Sequence, residues 1–322
     1  MKAELVIEKR ASVVLFNFLK AKKNVLKGKK MIIPANVCPI VPATLIKAQI
    51  EYEFIDISNS DFCMDKNAAI TLVDSNSKIG GVLFVRSYGY MADETDFFEQ
   101  LRIKSPGLVL IDDRCLCIPD IIGNTVYEQA DLTLYSTGYA KYVELNEGGF
   151  GFVGKDVNYI KSVLSYSEVD HNKIVEAFQK SIDTQTPLLY KESDWLDTST
   201  LTHGKDYFSY IQQGIIKSIK TKSKLNEIYK SNLPKEIQLG CEFHNWRFNI
   251  SVSNKSEVLS NIFKSDLFAS SHYNAISHLF GGRRVKNADR LHSRVINLFN
   301  DFRFTPEMAL KVCEIIKKTY SV

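Results

Sequence analysis

Residues 131–149 read DLTLYSTGYAKYVELNEGG. The opening DLTLYS is a short apolar run that ends in Ser136, and it reads as a buried strand over 131–136. Lys141 stands five residues beyond Ser136, and Asn146-Glu147-Gly148-Gly149 leads into a further short strand over 148–153. Upstream, residues 107–112 (GLVLID) form another apolar strand, with Asp112 and Asp113 at its end. Strands are also expected at 30–34 (KMIIP), 52–57 and 80–86 (GGVLFVR), and helices at 12–22, 41–48 and 96–103. Runs apolar on both faces, alternating with helices, argue for an α/β chain whose mostly parallel sheet is covered on both sides. In such sheets ligands bind at the carboxyl ends of the strands.

Three groups fall at those ends: the acid of Asp112 or Asp113, the Ser136 hydroxyl and the Lys141 amine. An acid, a hydroxyl and an amine at one sheet edge are what pyridoxal phosphate chemistry requires. The amine forms a Schiff base with the aldehyde. The carboxylate keeps the pyridine nitrogen protonated, so that the ring can accept electrons. Hydroxyls and backbone N–H groups at a helix start hold the phosphate, and Ser12 offers one at the start of the first helix.

The order of these groups resembles the DegT/StrS family of sugar aminotransferases, which are fold-type-I pyridoxal phosphate enzymes. The likeness is carried by the Ser136-to-Lys141 step and the NEGG turn. Further support comes from IIPANVC (32–38), YEFIDIS (52–58), VRSYGYMAD (85–93), FASSHYNAISH (268–278) and VINLFNDFRFTPEMALKVCEIIKK (295–318). The resemblance implies a large cofactor-binding domain over 1–233 and a small C-terminal α+β domain over 234–322. It implies Lys141 as the Schiff-base lysine, Asp113 against the ring nitrogen, and Ser136, Ser12, Ala11 and Arg10 around the phosphate. Cys38 matches the position of the aromatic that covers the ring. Tyr88, His272 and Tyr273 are candidate substrate contacts, although a tyrosine placed like Tyr88 is more often core packing. Glutamate would donate nitrogen to a nucleotide-linked keto-sugar, in a homodimer with shared active sites. The chain departs from the family at Arg10-Ala11-Ser12 (Ser-Gly-Thr in relatives), at Leu116 (a Gln) and at Cys38. No Asn-Tyr-Arg segment is recognisable near Lys205-Asp206-Tyr207. Two other readings stay open. One is a same-fold sugar dehydratase, in whose relatives a His commonly replaces the Lys. The other is a non-catalytic relative that keeps the fold.

Composition narrows the remaining classes. Lys plus Arg number 41 against 37 Asp plus Glu, a net +4 too balanced to indicate nucleic acid or a membrane surface. No apolar run approaches the length of a membrane span, and the first ten residues lack the apolar core of a signal peptide. Six scattered cysteines fit a reduced, cytoplasmic compartment, and Cys115 and Cys117 read as small buried hydrophobes. His171, His203, His244, His278 and His292 have no ligand spacing, so no metal site is expected. Residues 281–284 (GGRR) form a basic turn that could meet a diphosphate or simply be solvated. The rest is expected to hold a long helix near 210–229, a strand at 246–252 and helices at 256–264 and 305–319, the last capped by Thr305 ahead of Pro306.

Overall fold

A computed structural model describes residues 3–202 and 204–320; His203 and the first and last two residues lie outside it. The elements in order are β1 (Glu4–Glu8), α1 (Ala11–Ala21), α2 (Lys23–Leu26), β2 (Lys30–Pro34), α3 (Ile40–Lys47), β3 (Glu51–Ile55), α4 (Lys66–Ser75) and β4 (Ile79–Val85). There follow α5 (Thr95–Lys104), β5 (Val109–Asp113), β6 (Leu132–Ser136), β7 (Gly149–Val153), α6 (Glu168–Thr184) and α7 (Tyr207–Asn232). The chain ends with β8 (Phe248–Ser251), α8 (Lys255–Phe263), α9 (Lys286–Arg294), β9 (Val295–Leu298) and α10 (Pro306–Tyr320).

Seven strands form one sheet in the order β1-β7-β6-β5-β4-β2-β3. β7 is antiparallel to both of its neighbours, and the pairs from β6 through β3 are parallel. The expected mostly parallel α/β sheet is therefore present. Because side chains alternate across a strand, each strand feeds two cores. Met31, Ile33, Leu83, Val109, Ile111, Leu132 and Leu134 pack with α1 and α3. Ile32, Val82, Phe84 and Leu110 pack with Val73 of α4 and Phe97, Phe98 and Leu101 of α5. A third core lies between the antiparallel pair β8–β9 and α8, α10 and the second half of α7, which enters it at Leu225 and Tyr229.

The edge strand β1, helices α4 and α9, and strand β9 were not anticipated. β1 reads ELVIE, with Glu4 and Leu5 exposed, and its partner is remote in sequence. The start of α4 is set by Asp65, whose carboxylate accepts the Ala68 N–H. At α10, Thr305 Oγ1 accepts the Met308 N–H at 3.3 Å, so the expected cap is present. Helix α1 opens one residue earlier than expected, with Arg10 in extended backbone at the cap position and making no side-chain cap. Among the described residues no helix is long and apolar enough to cross a membrane.

The buried His244 stacks on Phe248 at 3.9 Å, and its Nδ1 accepts the Asn249 N–H. Burial lowers its pKa to about 4. In the unfolded chain the ring takes its proton near pH 6.5, whereas the folded state resists it until about pH 4. The stabilisation is whole above pH 6.5 and is lost as pH falls towards 4, up to about 3 kcal/mol. Urea unfolding midpoints are expected to fall across this window, and His244→Phe should flatten the fall.

Candidate active site

The register of the sheet assembles the site. Ser136, at the end of β6, and Glu8, at the end of β1, both pair with Gly149, which begins β7. The next residues of the β1 strand open α1, so the helix start arrives beside Ser136. This approach requires glycine at 149, because a Cβ there would lie 2.1 Å from the Ala11 nitrogen. Arg10 forms an isolated parallel bridge with Gly148, whose N–H donates to the Lys9 carbonyl at 2.8 Å, whereas among the described residues no hydrogen bond satisfies the Ser12 N–H. Ala11 and Ser12 line a cavity of about 420 Å³, within the range of small-ligand sites.

Asp113, Ser136, Lys141, Ser12, Ala11, Arg10 and Cys38 all line this cavity. The choice between the two acids follows from strand parity. Asp113 lies on the same face of β5 as Val109 and Ile111, the face that α1 covers. Asp112 points to the other face, fully buried, where Arg86 Nε and Arg114 Nε donate to it at 2.9 and 2.7 Å. Asp113 is also buried, and its Oδ1 accepts the Cys115 N–H at 2.9 Å. Burial pushes its carboxyl above the ordinary carboxylate range, against the opposing pull of Cys115 hydrogen bonds and the Lys141 charge.

Lys141 sits half-buried on the loop between β6 and β7. Among the described residues nothing hydrogen-bonds its amine. The loop is closed by Leu145 N–H on the Thr137 carbonyl at 2.8 Å and by Thr137 N–H on the Gly148 carbonyl at 3.0 Å. Gly148 has φ +94°, and a Cβ there would strike Thr137 and Tyr207 at 2.5 Å. The Tyr207 hydroxyl meets Thr137 Oγ1 at 2.7 Å, so this segment supports the loop of its own chain. Glu147 of the turn is held by Lys9 and by Thr202. Arg10 reaches the same turn, donating to the Asn146 carbonyl at 2.8 Å. Ser136 Oγ accepts the Gly138 N–H at 3.3 Å.

The remaining candidates divide. Tyr88 is fully buried and does not line the cavity. It donates to the His272 carbonyl at 2.7 Å and stacks on Trp246, so the core reading describes it and the substrate-contact expectation does not. Tyr273 also stacks with Trp246. Burial raises its hydroxyl pKa, and the neighbouring Cys38 and Asp113 raise it further. His272 is exposed, near enough to Lys141 to feel its charge. Neither His272 nor Tyr273 is among the residues lining the cavity. Leu116 is buried with Tyr88 and Trp246, away from the cavity. Arg284 lies elsewhere on the surface, bonded to Gln185 at 2.8 Å. Cys117 is buried as expected, whereas Cys115 lines the cavity. The sequence reading missed Tyr166, His171, Trp195 and Asp197, which complete the wall. Their two segments are tied by Ser167 N–H on the Asp194 carbonyl at 2.7 Å, by Leu164 N–H on Thr198 Oγ1 at 2.9 Å and by His171 Nδ1 near the Trp195 carbonyl at 3.3 Å, and no local pattern announces such contacts. A larger hollow of about 680 Å³ between α6 and residues 188–194 is lined by Asp170, Lys173, Lys191, Glu192 and Asp194, none of them buried as Asp113 is.

No family model matches the chain, and no curated protein does. Solved structures do match over nearly the whole length. The sugar-nucleotide enzyme DesI, crystallised in the presence of its TDP-sugar product, superposes with a TM-score of 0.73 at 13% identity, covering 99% of this chain and 81% of its own. Helicobacter pylori PseC, an aminotransferase of pseudoaminic acid biosynthesis, gives 0.71 at 14%, covering 99% and 87%. A DegT DnrJ EryC1 StrS aminotransferase from Brucella abortus gives 0.70 at 12%, covering 99% and 87%. The chain has the DegT/DnrJ/EryC1/StrS aminotransferase fold. On this fold-type-I aminotransferase scaffold, the residues present fit pyridoxal phosphate. One wall of the cavity offers the start of α1 with the Ser12 and Ser136 hydroxyls, suited to a phosphate, and the missing Cβ of Gly149 lets that helix start approach. The same cavity holds a buried carboxylate and an amine without a hydrogen-bond partner.

Proposed function

We propose that this chain is a pyridoxal-phosphate-dependent aminotransferase that moves an amino group from glutamate to a nucleotide-linked keto-sugar. The observation that carries this reading is the meeting of Asp113, Lys141, Ser136 and the start of α1 in one cavity. When bound, pyridoxal phosphate supplies an aldehyde that captures amines and a ring that withdraws electrons. The Ser12 N–H at the start of α1, with the Ser12 and Ser136 hydroxyls, would bind the phosphate, and Arg10 would add positive charge beside them. Asp113 holds the proton on the ring nitrogen. Lys141 Nζ anchors the aldehyde and then serves as the base that takes and returns the proton at the carbon bearing the amino group.

DesI, with its TDP-sugar product, supports the nucleotide-sugar acceptor by analogy. A homodimer with shared active sites is part of the proposal, supported by the exposed Ile160, Val163 and Leu189. So is a cytoplasmic setting, supported by the free state of all six cysteines. The division into a large unit over 1–233 and a small one over 234–322 is likewise proposed, on the separate C-terminal core.

Loaded with cofactor and given glutamate, the protein is expected to lose its visible band and release one equivalent of 2-oxoglutarate. Tight cofactor binding without that release would favour a second reading, a fold-retaining protein without turnover. Cys38 supports that reading, because it stands in the cavity where the resemblance places an aromatic.

A further inference from the structure

The apex of the Lys141 loop is fixed from the C-terminal third of the chain. Ala140 has φ 56°, the left-handed conformation that a residue with a Cβ adopts only under constraint. Both polar groups flanking it are held by side chains. The Ala140 N–H donates to Glu144 Oε2 at 2.9 Å, and its carbonyl accepts the Trp246 indole N–H at 2.7 Å. Glu144 is gripped by Arg303, whose NH2 donates to both carboxylate oxygens at 2.5 and 2.6 Å. Arg303 also donates to Asp301 at 2.8 Å, and Arg247 bonds the same Asp301 oxygen. Trp246 is buried and stacks with both Tyr88 and Tyr273, packing that restrains its ring. Rotation of the Ala140 backbone would redirect the next residue, Lys141.

We propose that Glu144, Arg303 and Trp246 are positioning residues for Lys141. They hold the Ala140 peptide in its left-handed form and thereby aim the amine into the cavity with Asp113. None of the three is asked to touch cofactor or substrate; they act through the loop. The inference rests on the reading of Lys141 as the cofactor lysine.

The test compares Trp246→Phe, which keeps a ring and loses the donor, with Glu144→Ala and the conservative Glu144→Gln, which retains an acceptor for Ala140. Two quantities are measured. One is the rate at which pyridoxal phosphate attaches to Lys141, followed by its visible band. The other is the affinity for pyridoxine phosphate, which has no aldehyde and reports on the cavity alone. The attachment rate should fall about tenfold in Trp246→Phe and Glu144→Ala, with the pyridoxine phosphate affinity as in the wild type. Glu144→Gln should recover most of the rate. An unchanged rate, or rate and affinity falling together, would overturn the positioning role while the wild type still labels Lys141. A wild-type protein that never labels Lys141 would overturn the site reading and this inference with it.

Discussion

Lys141→Ala is expected to abolish covalent cofactor attachment and to lower the glutamate half-reaction by at least about a thousandfold, the scale of a lost nucleophile and general base. The fold should not notice the change. Lys141 is half-buried, and among the described residues its amine makes no hydrogen bond, so truncation leaves no buried partner unsatisfied. Thermal unfolding midpoints should match the wild type, and phosphate-bearing ligands without an aldehyde should still bind at the start of α1. A matched loss of stability would mean that the amine serves the loop rather than the chemistry. Absorbance after cofactor loading and stopped-flow mixing with glutamate separate these outcomes.

Asp113→Asn is the second large effect, and its contrast with Asp112→Asn makes it diagnostic. An asparagine at 113 still offers an oxygen to the Cys115 N–H, so the local structure is retained while the negative charge is lost. Without that charge the ring nitrogen loses its partner, and turnover should drop by about a hundredfold or more. Stability should hold or rise, because burial already disfavours the ionised carboxylate. Asp112→Asn should behave oppositely. It leaves Arg86 and Arg114 buried beside a neutral group, and breaking such a buried pair costs about 3–5 kcal/mol. Asp112→Asn is thus expected to unfold early, and Asp113→Asn to fold well and turn over poorly. Denaturant titration beside half-reaction rates reads both.

The strands that build the cavity were legible because β2, β4, β5 and β6 are apolar on both faces, a pattern that requires cover on two sides. The groups at the strand ends followed from counting along DLTLYSTGYAK. The identity of the facing acid was not legible. Parity separates Asp112 from Asp113, but only the assembled sheet shows that α1 covers the face of Val109 and Ile111. Ser12 was legible as a residue of the helix start; its place beside Ser136 depends on the close approach of Gly149 to Ala11, a contact across 138 residues of chain. Tyr88 could not be separated from a substrate contact by sequence, since a tyrosine at a strand end suits either role. The wall formed by Tyr166, His171, Trp195 and Asp197 comes largely from irregular backbone, which carries no periodicity. The hold of Trp246 on Ala140 spans 106 residues and leaves no trace in either local segment.

The central claim is that Lys141 is the amine to which the cofactor attaches. Loading with pyridoxal phosphate, reduction with borohydride, digestion and mass spectrometry of the peptides tests it directly. The account predicts a pyridoxyl phosphate mass on the peptide containing Lys141, stoichiometric with protein and absent from Lys141→Ala. Label scattered over surface lysines, or a Lys141 peptide of unmodified mass, would contradict it.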